Sequence, residues 1–272
     1  MLAIAATQVW QAGSMRIGIF GGTGPAGSGL ATRLASVGYT CVIGSRSKYR
    51  SMETRDGLVA KYAELAGRLE CADNAGAAEC DIVVIATPWD SAATTAQQHA
   101  TQLEGKVVVS MANALVRVGH EFQPLVPPRG SVAAHVQAAV PHCRVVAAFH
   151  HLPASELGHI GEPIDSDVLI CSDDRAATEI IAEIVRRIPG CRPLDAGELS
   201  NATAIEAFTA VLLQLNVRYK TRVAPKLTGI HGDPRDAKKA AAAEASPLSS
   251  TSVGRNAAAD SDTSATEEGT PT

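Results

Sequence analysis

The chain has 272 residues, of which 46% are hydrophobic but only 4% aromatic, so its core must be built from small and branched aliphatic side chains. That composition is typical of parallel sheets covered by helices. A formal net charge of −4 gives no broad basic field to attract a phosphodiester backbone, which argues against a nucleic-acid partner.

Two further features of the composition indicate where the protein works. No apolar run reaches the roughly 18 residues needed to cross a bilayer, so we expect no membrane association. The six cysteines include no CxxC pair, which favours buried, reduced thiols over disulfides or zinc ligands. The sequence therefore predicts a cytoplasmic protein.

The first half of the chain alternates short apolar runs with helical patterns. Strands are predicted at residues 16–20, 40–44, 81–86 and 106–109, and helices at residues 26–37, 52–66 and 91–101. This alternation predicts an α/β fold with a Rossmann-type, doubly wound parallel sheet, assigned to residues 15–140.

The second half repeats the pattern on a smaller scale and has no glycine-rich loop of its own. A helix is predicted at residues 131–139, a β-rich run at 144–149, strands at 167–171 and 192–195, and helices at 175–187 and 199–218. Residues 141–230 are therefore interpreted as a smaller α/β domain that supplies a partner pocket. Residues 1–14 and 231–272 have compositions that favour a disordered extension and a disordered tail.

A G-x-G-x-x-G element, Gly22-Thr23-Gly24-Pro25-Ala26-Gly27, directly follows the first strand and opens a helix. Gly22 permits a tight turn, Gly24 allows a pyrophosphate to approach the backbone, and Gly27 allows close packing of helix and strand. The helix N-terminus attracts the anion. In this setting the element predicts a dinucleotide site, the alternative being a structural turn.

The end of the second strand indicates which dinucleotide binds. An NAD enzyme usually carries Asp or Glu here for the ribose hydroxyls, whereas this chain reads Gly44-Ser45-Arg46-Ser47-Lys48-Tyr49-Arg50. Ser45 can donate to a 2′-phosphate, Arg46 can form a forked pair with it, and Lys48 or Arg50 adds charge. These residues predict NADP, the alternative being a solvated basic turn.

Two later loops are expected at the same edge of the sheet, because they follow the third and fourth predicted strands. They are Thr87-Pro88-Trp89 and Ser110-Met111-Ala112-Asn113. Trp89 either lines the cofactor crevice or anchors the core.

Residues that are missing narrow the type of reductase. No tyrosine is followed by a lysine four positions later, which excludes the short-chain dehydrogenases. No lysine lies between Lys106 and Lys220, which excludes the hydroxyacid-dehydrogenase type, whose lysine follows the Rossmann domain. What remains is hydride transfer between two stacked rings without an obvious general acid, and a second redox cofactor would fit such a reaction.

Several segments of the chain together resemble the NADPH-dependent coenzyme F-420 (F420) reductases, or F420:NADP oxidoreductases. The resemblance extends over roughly residues 15–230 and includes MRIGIFGGTGPAGSGLATRLASVGY, IGSRS, IVVIATPW, FHHLPA and RPLDAGELSNA. It implies a homodimer in which the Rossmann domain binds NADP(H) and the small domain binds an 8-hydroxy-5-deazaflavin, F420, to which the hydride is passed.

The resemblance also implies roles for individual residues. Thr23 to Ala26 would hold the pyrophosphate, and Ser45, Arg46 and Arg50 the 2′-phosphate. The residues assigned to the ring end are Pro88, Trp89 and Ala154 beside the nicotinamide, His150 and Leu152 where the two rings meet, and Ser200 and Asn201 in the deazaflavin pocket.

The chain departs from the family pattern at three places: Ser47 replaces a cation, the loop after the strand at residues 106–109 reads SMANAL, and His151 makes a double histidine. His150 is interpreted as orienting the deazaflavin, the alternative being a buried histidine bonded to the backbone. The histidines and Glu156 have no regular ligand spacing, so no metal is predicted. Two other functions stay open: an NADPH-dependent flavin or ferric reductase, and a non-catalytic NADP-sensing protein.

Overall fold

The apolar runs of the sequence form a six-stranded parallel sheet. The computed structural model of the protein describes residues 15–230. The strands, with one hairpin that lies outside the sheet (β6 and β7), are β1 (Arg16–Phe20), β2 (Thr40–Ser45), β3 (Leu69–Asp73), β4 (Ile82–Ile85), β5 (Val107–Ser110), β6 (Leu115–Val118), β7 (Glu121–Pro124) and β8 (Arg144–Ala147).

Helices connect these strands and cover both faces of the sheet. They are α1 (Pro25–Ser36), α2 (Lys48–Lys61), α3 (Asn74–Ala78), α4 (Trp89–Gln98), α5 (Ala100–Leu103), α6 (Val132–Ala139), α7 (Ala154–Leu157), α8 (Arg175–Arg187) and α9 (Ala202–Tyr219). Two further strands, β9 (Ser166–Ile170) and β10 (Cys191–Asp195), form a separate parallel pair joined through α8.

The spatial order of the main sheet is β3-β2-β1-β4-β5-β8. The chain runs outward from β1 in one direction and then restarts beside β1 with β4, so the strand order reverses between β1 and β4. A crevice forms outside the carboxyl ends of the strands at such a reversal. The predicted Rossmann-type sheet is therefore confirmed, and the reversal identifies where a ligand site is expected.

The core lies on both faces of this sheet, since alternate residues of each strand point in opposite directions. Ile17 and Ile19 of β1 pack with α1 on one face, whereas Phe20 and Val83 pack with residues of α4 and α6 on the other. Burial on both faces explains why the central strands are nearly continuous apolar runs.

Three elements of the first half, α2, β3 and α3, depart from the prediction. The helix predicted at residues 52–66 begins earlier, at Lys48, and ends at Lys61, after which Ala63–Leu65 form a short 3-10 turn. β3 and α3 were not predicted, because β3 is an edge strand that is only partly buried and lacks an apolar run.

The part of the chain after residue 140 is continuous with the main sheet. β8 pairs in parallel with β5, so the sheet extends past the boundary predicted at residue 140. An antiparallel bridge from Ala147 to Cys171 then connects β8 to the chain just after β9, with N to O distances of 2.8 and 3.1 Å. The division into a cofactor domain and a partner domain stays a prediction, and the predicted disorder of residues 1–14 and 231–272 lies outside the described residues.

A hairpin of β6 and β7, also absent from the prediction, packs on the long helix α9, where the Phe122 amide donates to Gln214 Oε1 at 3.2 Å. The helix predicted from residue 199 begins at Ala202, because Leu199–Asn201 form a 3-10 turn. Within the described range, no helix is both long and apolar enough to cross a bilayer.

Candidate functional site

The turn between β1 and α1 lies at the crevice and is held to the neighbouring strand by a backbone hydrogen bond. Gly21 has a φ of 72°, and the Gly22 amide donates to Gly44 O at 2.9 Å, which joins the turn to the end of β2. α1 starts at Pro25, with Gly24 as an N-cap that provides no side-chain hydrogen bond. Since no side chain caps this helix, its first turn is free to meet an anion.

Close packing under the turn requires glycine at position 27. A Cβ at Gly27 would lie 2.6 Å from Gly21 O. Any other residue would therefore push α1 away from the turn, which agrees with the packing role that the sequence predicts for this glycine.

A cavity of about 570 Å³ opens beside this turn, at the carboxyl ends of β1, β2, β3 and β4. Its walls are formed by the glycine turn, the start of α2, the start of α3 and one side of α4. The lining residues are Gly21, Thr23, Gly24, Ser45, Arg46, Ser47, Arg50, Asn74, Ala86, Thr87, Pro88, Ser91, Thr94, Thr95 and Gln98.

The charged residues among those that line the cavity are all basic. Arg46 and Arg50 are both exposed side chains on its rim, whereas none of its lining residues within 15–230 is acidic. Ser45 is buried below them, and its hydroxyl oxygen accepts from the Ser47 amide at 3.3 Å. An opening with two guanidinium groups and no carboxylate suits a phosphate monoester.

The polar wall of the cavity is absent from the sequence-based predictions. Asn74 at the start of α3 lines it, as do four polar residues of α4: Ser91, Thr94, Thr95 and Gln98. Their spacing of three, four and seven residues is the signal that could have identified one face of a helix. Asn74 could not have been found in that way, because neither α3 nor the strand before it was predicted.

Of the residues predicted for the cofactor, Thr23, Gly24, Ser45, Arg46, Arg50 and Pro88 meet at the cavity. Gly22 and Gly27 are buried beneath the turn, while Pro25 and Ala26 form the first turn of α1. Trp89 does not line the cavity; it is partly buried and packs against the core. The predicted position of Trp89 beside the nicotinamide stays a prediction.

His150 lies in the loop after β8 and is 5% exposed. Neither ring nitrogen has a hydrogen-bond partner among the described residues, so this histidine is not one bonded to the backbone. Burial, together with the nearby His151 ring at 6.0 Å between centroids, lowers the pKa of His150 to about 3. The imidazole is therefore neutral at physiological pH.

The remaining predicted residues lie outside the cavity. Leu152 is buried in the core, and Ala154 is the first residue of α7, which packs on α1. Ser200 and Asn201 are exposed in the 3-10 turn before α9, where Asn201 Nδ2 donates to Ala196 O at 2.7 Å. Across residues 15–230, no three His, Cys, Asp or Glu side chains are grouped so that they could hold a metal ion.

The strand order, the glycine turn at the strand reversal and the cavity without acids define a dinucleotide-binding protein of the Rossmann type. The family model described as NADP oxidoreductase coenzyme F420-dependent matches residues 16–114. The chain belongs to the family of F420-dependent NADP reductases, since it is 35% identical over 213 residues to the member from Methanocaldococcus jannaschii. That match covers 76% of this chain and 95% of the relative.

Two other relatives extend the comparison. The F420-dependent NADP reductase of Methanothermobacter thermautotrophicus is 34% identical over 221 residues, covering 76% of this chain and 92% of the relative. A crystal structure of a protein from Arthrobacter sp. FB24 has the same fold, with a TM-score of 0.65 and 24% identity over 78% of this chain and all of that one.

Proposed function

We propose that the protein transfers a hydride between NADP(H) and coenzyme F420. The observation that carries the proposal is the cavity itself, which combines two arginines with no acidic lining residue in the described chain. It lies at the end of β2, where NAD enzymes have the acid that contacts the ribose hydroxyls. Membership of the F420-dependent NADP reductase family supports the second cofactor.

The residues of the cavity fit NADP(H) in two parts. Within the segment from Thr23 to Ala26, the Thr23 and Ala26 amides at the N-terminus of α1 would hold the pyrophosphate, because Pro25 has no N–H and the Gly24 amide donates to Gly21 O at 3.0 Å. Ser45, Arg46 and Arg50 would hold the 2′-phosphate, Ser45 through its hydroxyl and the arginines through charge-assisted hydrogen bonds.

The ring end of the site would lie next to the loops that follow β4, β5 and β8. NADPH supplies a hydride, and the oxidised deazaflavin accepts it together with a proton from solvent. His150 is neutral, so its task is to orient a ring or donate a hydrogen bond rather than to serve as a cationic acid. Leu152 would keep water from the ring contact, and Ser200 and Asn201 would bind the deazaflavin.

The transfer is proposed to be direct, from ring to ring, without a metal or a covalent intermediate. Both rings need only lie within contact distance in a water-excluding pocket. Ala154 was predicted on the nicotinamide side; as it starts a helix that packs on α1, we propose that it positions that wall rather than contacting the ring.

The protein is further proposed to be a cytoplasmic homodimer. Exposed apolar side chains on α9 and β6 support a protein contact there, since Phe208, Val211, Val116 and Val118 are between 37% and 52% exposed. Sedimentation of the purified protein across a concentration series would test the dimer.

One kinetic experiment tests the reaction. The protein is mixed anaerobically with NADPH and either F420 or FMN, and the NADPH absorbance is followed, with NADH replacing NADPH as the control. We expect bleaching with F420 and NADPH and much slower bleaching with NADH. Bleaching of NADPH with FMN but not with F420 would favour the flavin or ferric reductase. No bleaching with either acceptor would favour the NADP-sensing protein.

A further inference from the structure

Asn74 is the first residue of α3, directly after β3, and it takes no part in capping that helix. The cap is provided by the preceding residue, since Asp73 Oδ1 accepts from the Gly76 amide at 2.8 Å. β3 pairs with β2 so that Asp73 lies opposite Ser45. Asn74 therefore follows the strand next to the one that presents Arg46.

Asn74 is 7% exposed, so little of its side-chain amide meets solvent. Its Oδ1 is fully buried without a hydrogen bond, and no hydrogen bond of the side chain is found in residues 15–230. A Cβ at Gly44 would lie 3.3 Å from Oδ1, so this oxygen rests against the Gly44 backbone. Because Asn74 also lines the cavity, the amide nitrogen is the polar end that remains to face it.

The amide nitrogen, unlike the buried Oδ1, is the end of the side chain that a ligand in the cavity can reach, and an acceptor there would supply its missing hydrogen bond. The amide nitrogen is a donor, and the neighbouring groups on the cavity wall are the Ser45 hydroxyl and the Arg46 guanidinium, also donors. Three donors from adjacent strand ends, with no carboxylate among the described lining residues, match an anion rather than a ribose diol.

We propose that Asn74 is a specificity-determining residue that donates through Nδ2 to the 2′-phosphate of NADP(H). The inference rests on the proposed binding of NADP(H) in this cavity. It assigns to α3 a part of the discrimination between NADP(H) and NAD(H) that the sequence assigns only to the turn after β2. Gly44 is part of the same arrangement, because a Cβ there would lie 2.7 Å from Ala77 Cβ of α3 and 3.3 Å from Asn74 Oδ1.

The test uses Asn74→Asp and Asn74→Ser, with dissociation constants for NADPH and NADH measured by fluorescence or calorimetry on the full chain. Asp has the shape of Asn but places a carboxylate against the phosphate. The ratio of the dissociation constant for NADH to that for NADPH should therefore fall by about tenfold to a hundredfold. Ser retains a shorter donor, so the same ratio should fall by less in Asn74→Ser. Gln97→Glu adds the same charge on the exposed, non-lining side of α4 and should leave the ratio within about twofold.

The ratio of two ligands on one variant does not depend on the fraction of protein that is folded. If wild-type protein binds NADPH and the ratio is unchanged in both Asn74 variants, the assignment is wrong while the proposed function stands. An equal loss for both nucleotides would also overturn it, because Asn74 would then contact a shared part of the cofactor. Failure of the wild type to bind NADPH would overturn the proposed function together with this inference. Should Asn74→Asp not fold, the ratio for Asn74→Ser decides.

Discussion

The side-chain amide of Asn113 donates a hydrogen bond of 2.9 Å to the backbone carbonyl of His150. This bond joins the loop after β5 to the loop after β8, two neighbouring strands of the sheet. Within the described chain, Asn113 Oδ1 and both ring nitrogens of His150 are buried without partners. The loop after β8 is thus held through the His150 carbonyl, whereas the His150 imidazole makes no hydrogen bond to the described residues.

His150 should affect turnover without adding a step to the pH profile. Since burial holds the pKa of His150 near 3, the ring is neutral from pH 5 to 8, the range in which an ordinary histidine titrates. His150→Phe should lower kcat/KM for F420 by about tenfold, the value of one lost hydrogen bond, and leave the shape of the profile unchanged. The measurement is steady-state rate against pH for both proteins.

The control for this experiment is His142→Phe, an exposed histidine after α6, which should behave as wild type. A rate step near pH 6 to 7 that disappears in His150→Phe would contradict the neutral assignment.

Arg46→Asp should reverse the nucleotide preference. Arg46 lines the cavity, and a carboxylate there would repel a 2′-phosphate but accept hydrogen bonds from the free hydroxyls of NADH. We expect NADPH to bind about a hundredfold more weakly, with NADH changed little or improved. Lys48→Asp is the matched control, because Lys48 is exposed in the same turn but does not line the cavity. Equal effects of the two substitutions would mean that only the general charge of the turn matters.

Arg33 should be essential for stability although it lies in α1, outside the cavity. Its side chain is 1% exposed, and its guanidinium donates to the carbonyls of Glu156 and His159 at 2.6 Å, Glu162 at 2.9 Å and Leu157 at 3.3 Å. Arg33→Met would leave these carbonyls unpaired and lower the free energy of unfolding by about 3 to 5 kcal/mol in urea titrations.

Arg33→Lys should recover only part of that loss, because a single ammonium cannot reach four carbonyls arranged around a planar fork. Arg175→Met, at an exposed position at the start of α8, should change stability by less than about 0.5 kcal/mol. A loss in Arg33→Met no larger than that in Arg175→Met would show that solvent replaces the hydrogen bonds.

The elements that could be predicted from sequence are those whose burial leaves a local pattern. β1 and α8 have the predicted bounds, because β1 is buried along almost its whole length and α8 has one apolar stripe. β3 and the β6–β7 hairpin could not be predicted, since β3 is half-exposed and Val116 and Val118 of β6 face solvent. β3 and the hairpin are stabilised by contacts with other segments, β2 and α9, which no local sequence pattern reveals.

The same distinction applies to the site. The glycine turn and the turn after β2 are local motifs, so Gly24, Ser45 and Arg46 were found from sequence. Asn74 and the α4 face join them only because α3 and α4 pack at the strand ends, a relationship between segments far apart in the chain. For this reason the two turns of the site could be predicted from sequence, whereas Asn74 and the polar face of α4 could not.

Glu206 should make stability depend on pH. It lies in α9, where its carboxylate accepts from the Val132 and Ala133 amides at 2.8 and 3.1 Å and so caps α6. Burial raises the pKa of Glu206 from 4.5 to about 7, against the two backbone hydrogen bonds, which lower it. The folded state therefore binds this proton more tightly than the unfolded state, and the stabilisation present below pH 4.5 is lost as the pH rises to 7.

Urea unfolding at a series of pH values would measure this effect. The stability of wild type minus that of Glu206→Gln should fall by up to about 3 kcal/mol between pH 4.5 and 7.5. Glu198→Gln, at an exposed site before α9, should give a difference that does not change with pH. A difference for Glu206→Gln that rises with pH would show that the two amide hydrogen bonds outweigh burial.

Two glycine to alanine substitutions should have opposite effects on stability. A Cβ at Gly57, in the exposed middle of α2, meets nothing within 4 Å, so Gly57→Ala should raise the free energy of unfolding by about 0.5 to 1 kcal/mol through helix propensity. A Cβ at Gly18 of β1 would fall on the carbonyl oxygen of Ala77, so Gly18→Ala must push α3 off the sheet and should cost about 3 kcal/mol or more. Because α3 also carries Asn74, Gly18→Ala should weaken NADPH as well, whereas Gly57→Ala should not. Stabilisation by both substitutions in urea titrations would mean that α3 can move away from β1 at little cost.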